Sequence, residues 1–220
     1  MKDTTINEDV KFTKAYLILN EVFNAITHGI GFGLSIAGLV ILLFKGVRNN
    51  SALEVVCYTI YGSSLIILYL CSTLYHSLMF TPARKIFRIF DHSSIFLLIA
   101  GTYTPYSLIT IGGTLGWTLF GIIWGIAVLG IIYKALWIDK YKKYSTALYI
   151  ASGWLCVIAA KPMIQGLGLK GALLLLIGGL SFTIGAIFYK MKSVKFMHVL
   201  WHLFVFIGTL LMYFSILYYV

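Results

Sequence analysis

A chain of 220 residues that is 60% hydrophobic and 11% charged, with a mean hydropathy of +0.93, lies far from soluble domains, which are about half apolar and a quarter charged. That composition excludes a soluble enzyme or soluble binding module. The net charge of +10 would ordinarily suggest nucleic acid, but the basic residues fall in short connections between apolar segments, where membrane topology accounts for them. No nucleic-acid partner is expected; the expected partners are membrane lipids.

Seven mostly apolar segments are each long enough to cross a hydrocarbon layer of about 30 Å as a helix: residues 22–44, 53–76, 88–109, 115–136, 145–161, 171–189 and 198–219. The expected fold is all-α, an integral membrane bundle of seven transmembrane helices. Residues 1–21 form a short N-terminal segment and residues 22–220 a single transmembrane domain. The first 20 residues mix charges of both signs and lack the apolar core and cleavage site of a secretory signal, so the first helix reads as an uncleaved anchor. Thirteen Lys and Arg residues fall on the side of the N-terminus and four, Lys45, Arg48, Lys161 and Lys170, on the other. The N-terminus is therefore expected in the cytoplasm and, with seven spans, the C-terminus outside. Cys57, Cys71 and Cys156 are far apart within apolar segments and read as packing residues.

In the first segment, Glu21, Asn24 and His28 stand at i, i+3 and i+7 and share a stripe at the cytoplasmic end. They read either as a cavity lining or as a polar network that fixes the helix. Gly29, Gly31 and Gly33 follow and suit close packing in lipid. The second segment ends in Ser72-Thr73-Leu74-Tyr75-His76, which puts Ser72 and His76 on one face. The third opens with Asp91-His92; consecutive helical residues point about 100° apart, so His92 is an outer neighbour at most. It closes with Gly101-Thr102-Tyr103-Thr104-Pro105, a packing motif in which Pro105 bends or stops the helix. Trp117 and Trp137 flank the fourth as interfacial rings, and Lys161-Pro162 reads as the outer end of the fifth. The seventh opens with His198-Val199-Leu200-Trp201-His202, two imidazoles one turn apart on one face.

This topology gathers the end of the second segment and the starts of the third and seventh at the cytoplasmic face, with all five histidines near it. His198 and His202 form a workable chelate, although no Glu follows His198 as in the HExxH of soluble zinc peptidases. With His76 as third ligand, three neutral imidazoles and an open fourth position match a catalytic zinc site, where water is acidified to a pKa of about 7. Asp91 then orients or deprotonates that water, with Ser72 as a hydrogen-bonding neighbour. Imidazole suits zinc, copper, iron and nickel alike, and the alternative is that each histidine satisfies a carbonyl or a lipid headgroup.

The stretch Glu21-Val22-Phe23-Asn24-Ala25-Ile26-Thr27-His28-Gly29, Ser72 to His76, Phe90-Asp91-His92-Ser93 with Ile99 to Pro105, and His198 to His202 together resemble the hemolysin III family. That family is the bacterial branch of the superfamily that includes progestin and adiponectin receptors, and the resemblance spans nearly the whole chain. It implies a seven-helix multi-pass protein of the bacterial plasma membrane, with zinc held by His76, His198 and His202, Asp91 associated with zinc-bound water, and Ser72 beside it. For activity, the receptor members and the related alkaline ceramidases imply zinc-dependent hydrolysis of lipid amides or esters. Two other expectations stand beside it: a non-enzymatic membrane regulator or sensor with structural zinc, and a pore-forming cytolysin (hemolysis), as the family name suggests. The last is physically disfavoured, because seven apolar spans do not readily leave their own membrane.

Overall fold

The computed structural model describes residues 12–138, 140 and 142–220, and among them every regular element is helical. The elements are α1 (Lys14–Arg48), α2 (Ala52–Ser77), α3 (Arg84–Pro105), α4 (Gly113–Trp137), α5 (Lys142–Gly153), α6 (Ala160–Lys190) and α7 (Met197–Tyr219). Local chemistry sets several boundaries. Thr13 Oγ1 accepts the Tyr16 N–H at the start of α1, and Ser51 Oγ accepts the Glu54 N–H at the start of α2, the usual capping of otherwise unpaired amides. Pro105 ends α3 as expected, since it donates no N–H. The chain continues as a π-helical stretch, Tyr106–Ile111, before Gly112 and Gly113 at φ 62° and 54° turn it into α4.

Among the described residues, six helical stretches are long and apolar enough to cross a membrane: Lys14–Arg48, Ala52–Ser77, Arg84–Ile111, Gly113–Trp137, Ser145–Lys190 and Met197–Tyr219. The fifth and sixth segments expected from the sequence are therefore one continuous run of 46 residues. Its first part joins α5 to α6 through a 3₁₀ stretch, Trp154–Ala159. Tyr103 explains the tightening: its hydroxyl donates toward the carbonyls of Ser152 and Gly153 and accepts the Cys156 N–H at 2.7 Å, taking those groups out of the ordinary ladder. Lys161-Pro162 does not end this segment. Pro162 sits in the first turn of α6, where a missing N–H is tolerated, and the helix runs on to Gly168, whose φ of 64° and ψ of 174° break it.

Contacts along this run trace its path. Tyr149 donates to the His92 carbonyl near the start of α3, Gly166 lies against Thr110 beyond the end of α3, Ser215 donates to the Gly171 carbonyl, and the Tyr189 ring is 5.6 Å from that of His198. The chain thus passes from the histidine end of the bundle to the opposite end and returns.

α1 shows how the bundle is built. Its buried residues, Asn24, His28, Gly31, Ser35, Gly38, Leu42 and Gly46, recur every three or four positions and are mostly small or polar, whereas Ile18, Val22, Ile26, Ile30 and Phe44 are exposed. That pattern is the one expected where lipid replaces water, since small faces let backbones approach. A Cβ on Gly31 would lie 2.5 to 2.8 Å from the Tyr69 ring, while one on Gly33 would meet nothing within 4 Å. Gly31→Ala is therefore expected to cost about 1–3 kcal/mol by overpacking and to lower the melting temperature in detergent. Gly33→Ala is expected to leave it unchanged; equal behaviour of the two would show that α1 and α2 are not packed as described.

Candidate metal centre

His76 stands in the last turn of α2, and His198 and His202 occupy the first two turns of α7. Their ring centres are 4.8 to 5.1 Å apart, and one nitrogen from each lies within 4.8 Å of the others. No fourth His, Cys, Asp or Glu among the described residues joins that group. The start of α7 is fixed by Phe196, two residues before His198, in the left-handed region at φ 61° and ψ 11°. For a residue with a Cβ this costs roughly 1–2 kcal/mol. It is held by a hydrogen bond from the Phe196 N–H to the Tyr16 hydroxyl and by ring contacts with Tyr16 and Phe23.

α1 supplies the groups that orient the triad. His76 Nδ1 and Glu21 Oε2 are 2.6 Å apart, so Nδ1–H donates to the carboxylate and Nε2 is left free. His202 Nδ1 is 3.3 Å from the Asn24 carbonyl oxygen. His28 stacks flat on His202, ring centres 3.6 Å apart and planes 11° from parallel, with Tyr69 edge-on behind it at 5.0 Å. A further chain of contacts holds Glu21: Asn20 Nδ2 donates to its Oε1, and the Tyr16 hydroxyl donates to Asn20 Oδ1. The stripe Glu21, Asn24 and His28 thus reaches the imidazoles directly. Glu21 as the partner of His76 was not singled out in the sequence; the general habit of metal-bound imidazole to donate its other N–H to a carboxylate was the available signal.

Several buried polar atoms here have no hydrogen-bond partner among the described residues: His76 Nε2, His198 Nε2, both ring nitrogens of His28, the Asn24 amide and Ser72 Oγ. Buried polar groups are ordinarily satisfied, and such a cluster calls for an ion or water. Free imidazole nitrogens converging from three histidines, one backed by a carboxylate, are the donor set of a divalent transition metal, so the residues present fit the implied metal.

The triad opens onto a cavity of about 1170 Å³. Asp91 and Ser72 are in its wall, as are Glu21, His28 and His92. His92 takes no part in the triad; its Nδ1–H donates to the Arg88 carbonyl at 2.9 Å, with Asp91 Oδ2 at 3.5 Å. Two wall residues, Trp201 and Lys134, carry no signal in the sequence that sets them apart from the other aromatic and basic residues. Both line the cavity, because inter-helix geometry, invisible to spacing, turns them inward.

Comparison with known proteins adds an independent finding. The profile of the family described as Haemolysin-III related matches residues 16–213. The chain is 48% identical over 203 residues to Hemolysin-3 of Bacillus cereus, covering 92% of this chain and 93% of that one. It is 44% identical over 204 residues to the Hemolysin-3 homolog of Bacillus subtilis (strain 168), covering 93% and 96%. At 28% identity over 174 residues, 76% of this chain and 72% of the other, it is also similar to the Monocyte to macrophage differentiation factor of Homo sapiens.

The Glu21–His76 contact makes a specific prediction. Glu21→Gln keeps all three imidazoles but weakens the carboxylate partner, and is expected to lower metal affinity about 10–100-fold while still reaching one metal per chain at saturation. Unaltered affinity in a competition titration with a chelator would separate Glu21 from the metal.

Proposed function

The chain belongs to the haemolysin-III related family, and from that premise we propose that it hydrolyses an amide or ester bond of a lipid held in the bundle cavity, using zinc bound by His76, His198 and His202. The observation that carries this reading is the open triad, with a carboxylate behind one ligand, facing a large cavity in an apolar bundle. A structural zinc site is closed by four protein ligands, whereas a catalytic one keeps a position free. Bound by these three imidazoles, the metal would supply Lewis-acid polarisation of the carbonyl oxygen.

The chain's own residues divide the remaining work. Glu21 and the Asn24 carbonyl hold His76 and His202 in the orientation that leaves their outer nitrogens free. The apolar cavity wall holds the acyl chain and keeps bulk water out. Ser72, one turn before His76 and 1% exposed, offers a hydroxyl to the substrate carbonyl or to the attacking water. Asp91 removes a proton from that water as the new C–O bond forms, and returns it to the leaving amine or alcohol as the C–N or C–O bond breaks.

The same reading includes a topology. The run of 46 residues is about twice the length needed for one crossing, its contacts lead there and back, and Gly168 breaks it at the far end. These observations support two crossings in that run, seven in all. The excess of Lys and Arg at the histidine end supports a cytoplasmic N-terminus in the plasma membrane. Labelling intact cells with a membrane-impermeant maleimide is expected to modify Leu169→Cys but not Lys192→Cys in a background lacking the native cysteines; the reverse pattern would invert the topology.

A second reading takes its support from the names of the two Bacillus relatives, which denote lysis. It predicts that the purified protein, added to vesicles, releases entrapped dye, and the hydrolase reading predicts that it does not. The direct test of hydrolysis is turnover of ceramide, phospholipid and lysolipid by the zinc-loaded protein in lipid nanodiscs. Turnover of at least one is expected, falling about 10²–10⁴-fold in Asp91→Ala with zinc content unchanged. Absence of turnover on all of them by the zinc-loaded wild type would defeat the proposal.

A further inference from the structure

Lys134 is a charged group that neither the triad nor its hydrolytic partners use. It lies in the last turn of α4, where a lysine ordinarily extends its ammonium to the headgroups. Here the side chain is 2% exposed. Its Nζ donates to Ser145 Oγ at 2.6 Å and lies 5.8 and 5.6 Å from the ring centres of Tyr133 and Tyr149. Among the described residues, no carboxylate is within ion-pair distance of it.

An ammonium carries three N–H donors, and Ser145 takes one. An inward-facing ionisable side chain at membrane depth is costly and marks a place where a partner is bound. Lys134 and Ser145 line the same cavity as the metal histidines, and the apolar part of its wall includes Leu98, Met163, Leu175 and Met212. One space therefore offers an enclosed cation, a candidate metal and an apolar channel.

We propose that Lys134, with Ser145, receives the phosphate headgroup of a single-chain acyl lipid whose tail occupies the apolar part of the cavity. An ammonium acts on phosphate as a point charge, whereas a planar carboxylate is better matched by a guanidinium fork. Arg84, Arg88 and Lys192 line the same cavity, but Arg84 and Lys192 are exposed and Arg88 is only half-buried, so Lys134 is the most enclosed of these cations. The proposal rests on the hydrolase reading only for the fate of the acyl bond. The charge preference is a matter of binding.

The experiment compares binding of two fluorescent probes with the same acyl chain, a lysophosphatidate and a neutral monoacylglycerol, to the full-length protein in nanodiscs of neutral lipid. The wild type is expected to prefer the phosphate-bearing probe by about tenfold or more, the scale of a hydrogen bond to a charged group. Lys134→Met, which keeps the length of the stem, and Lys134→Gln, which keeps a donor for Ser145, are both expected to bring the two probes within about twofold, with unchanged melting temperatures. His76→Ala, unable to hold the metal set, is expected to keep the preference, so a failure of hydrolysis and a failure of this site are told apart. Equal binding of both probes by the wild type would overturn the proposal. So would a preference that survives in both Lys134 variants but disappears in Arg84→Gln, Lys192→Gln, and so would inorganic phosphate displacing the lysophosphatidate at equal molar concentration, which would mark a free-phosphate site.

Discussion

An imidazole inside an apolar bundle needs a partner for each polar ring nitrogen, and the arrangement of the histidine end follows from how His76 meets that need. Its Nδ1–H goes to Glu21 at 2.6 Å, a charge-assisted bond that ties the end of α2 to the start of α1. The other nitrogen, buried and without a partner among the described residues, points to where α7 delivers two further imidazoles. Because the carboxylate fixes the tautomer and the ring, the free nitrogen is committed to one direction, as a ligand must be. Without Glu21 the same histidine could satisfy itself against a carbonyl and the cluster would have no reason to converge.

The rest of the bundle serves that convergence. Small and polar residues on the inner stripe of α1 bring it close enough to α2 and α7 for Glu21, Asn24 and His28 to reach the imidazoles. The left-handed Phe196, tied to Tyr16 on α1, sets the start of α7 and with it the position of His198. α3 and the long run from α5 to α6, joined through Tyr103, form the opposite wall and keep a large volume open. The imidazole cluster and most of the open volume's apolar wall thus come from different sets of helices in one bundle.

Much of this was legible in the sequence because membrane helices obey strong local rules. The spacing of His198 and His202, the position of His76 at the end of an apolar segment, and the placing of Ser72 on the same helix face follow from helical periodicity and apolar length. The class of fold follows from apolar length. What was hidden depends on distances between helices. Nothing local says that Glu21 rather than lipid faces His76, or that Lys134 turns inward. Lys161-Pro162 looked like a segment end because proline disrupts helix interiors, yet in a first turn it disrupts nothing, and the break lies at Gly168, whose positive φ no pattern of hydropathy reports.

His76, His198 and His202 are positioned to hold a metal with no fourth protein side chain among the described residues. X-ray absorption at the zinc edge of the purified, zinc-loaded protein tests this directly. The spectrum is expected to contain three imidazole nitrogen scatterers at about 2.0–2.1 Å with no sulfur shell. A sulfur contribution, a spectrum of hydrated zinc alone, or a protein that stays folded but retains no metal after zinc is supplied and washed away would contradict it.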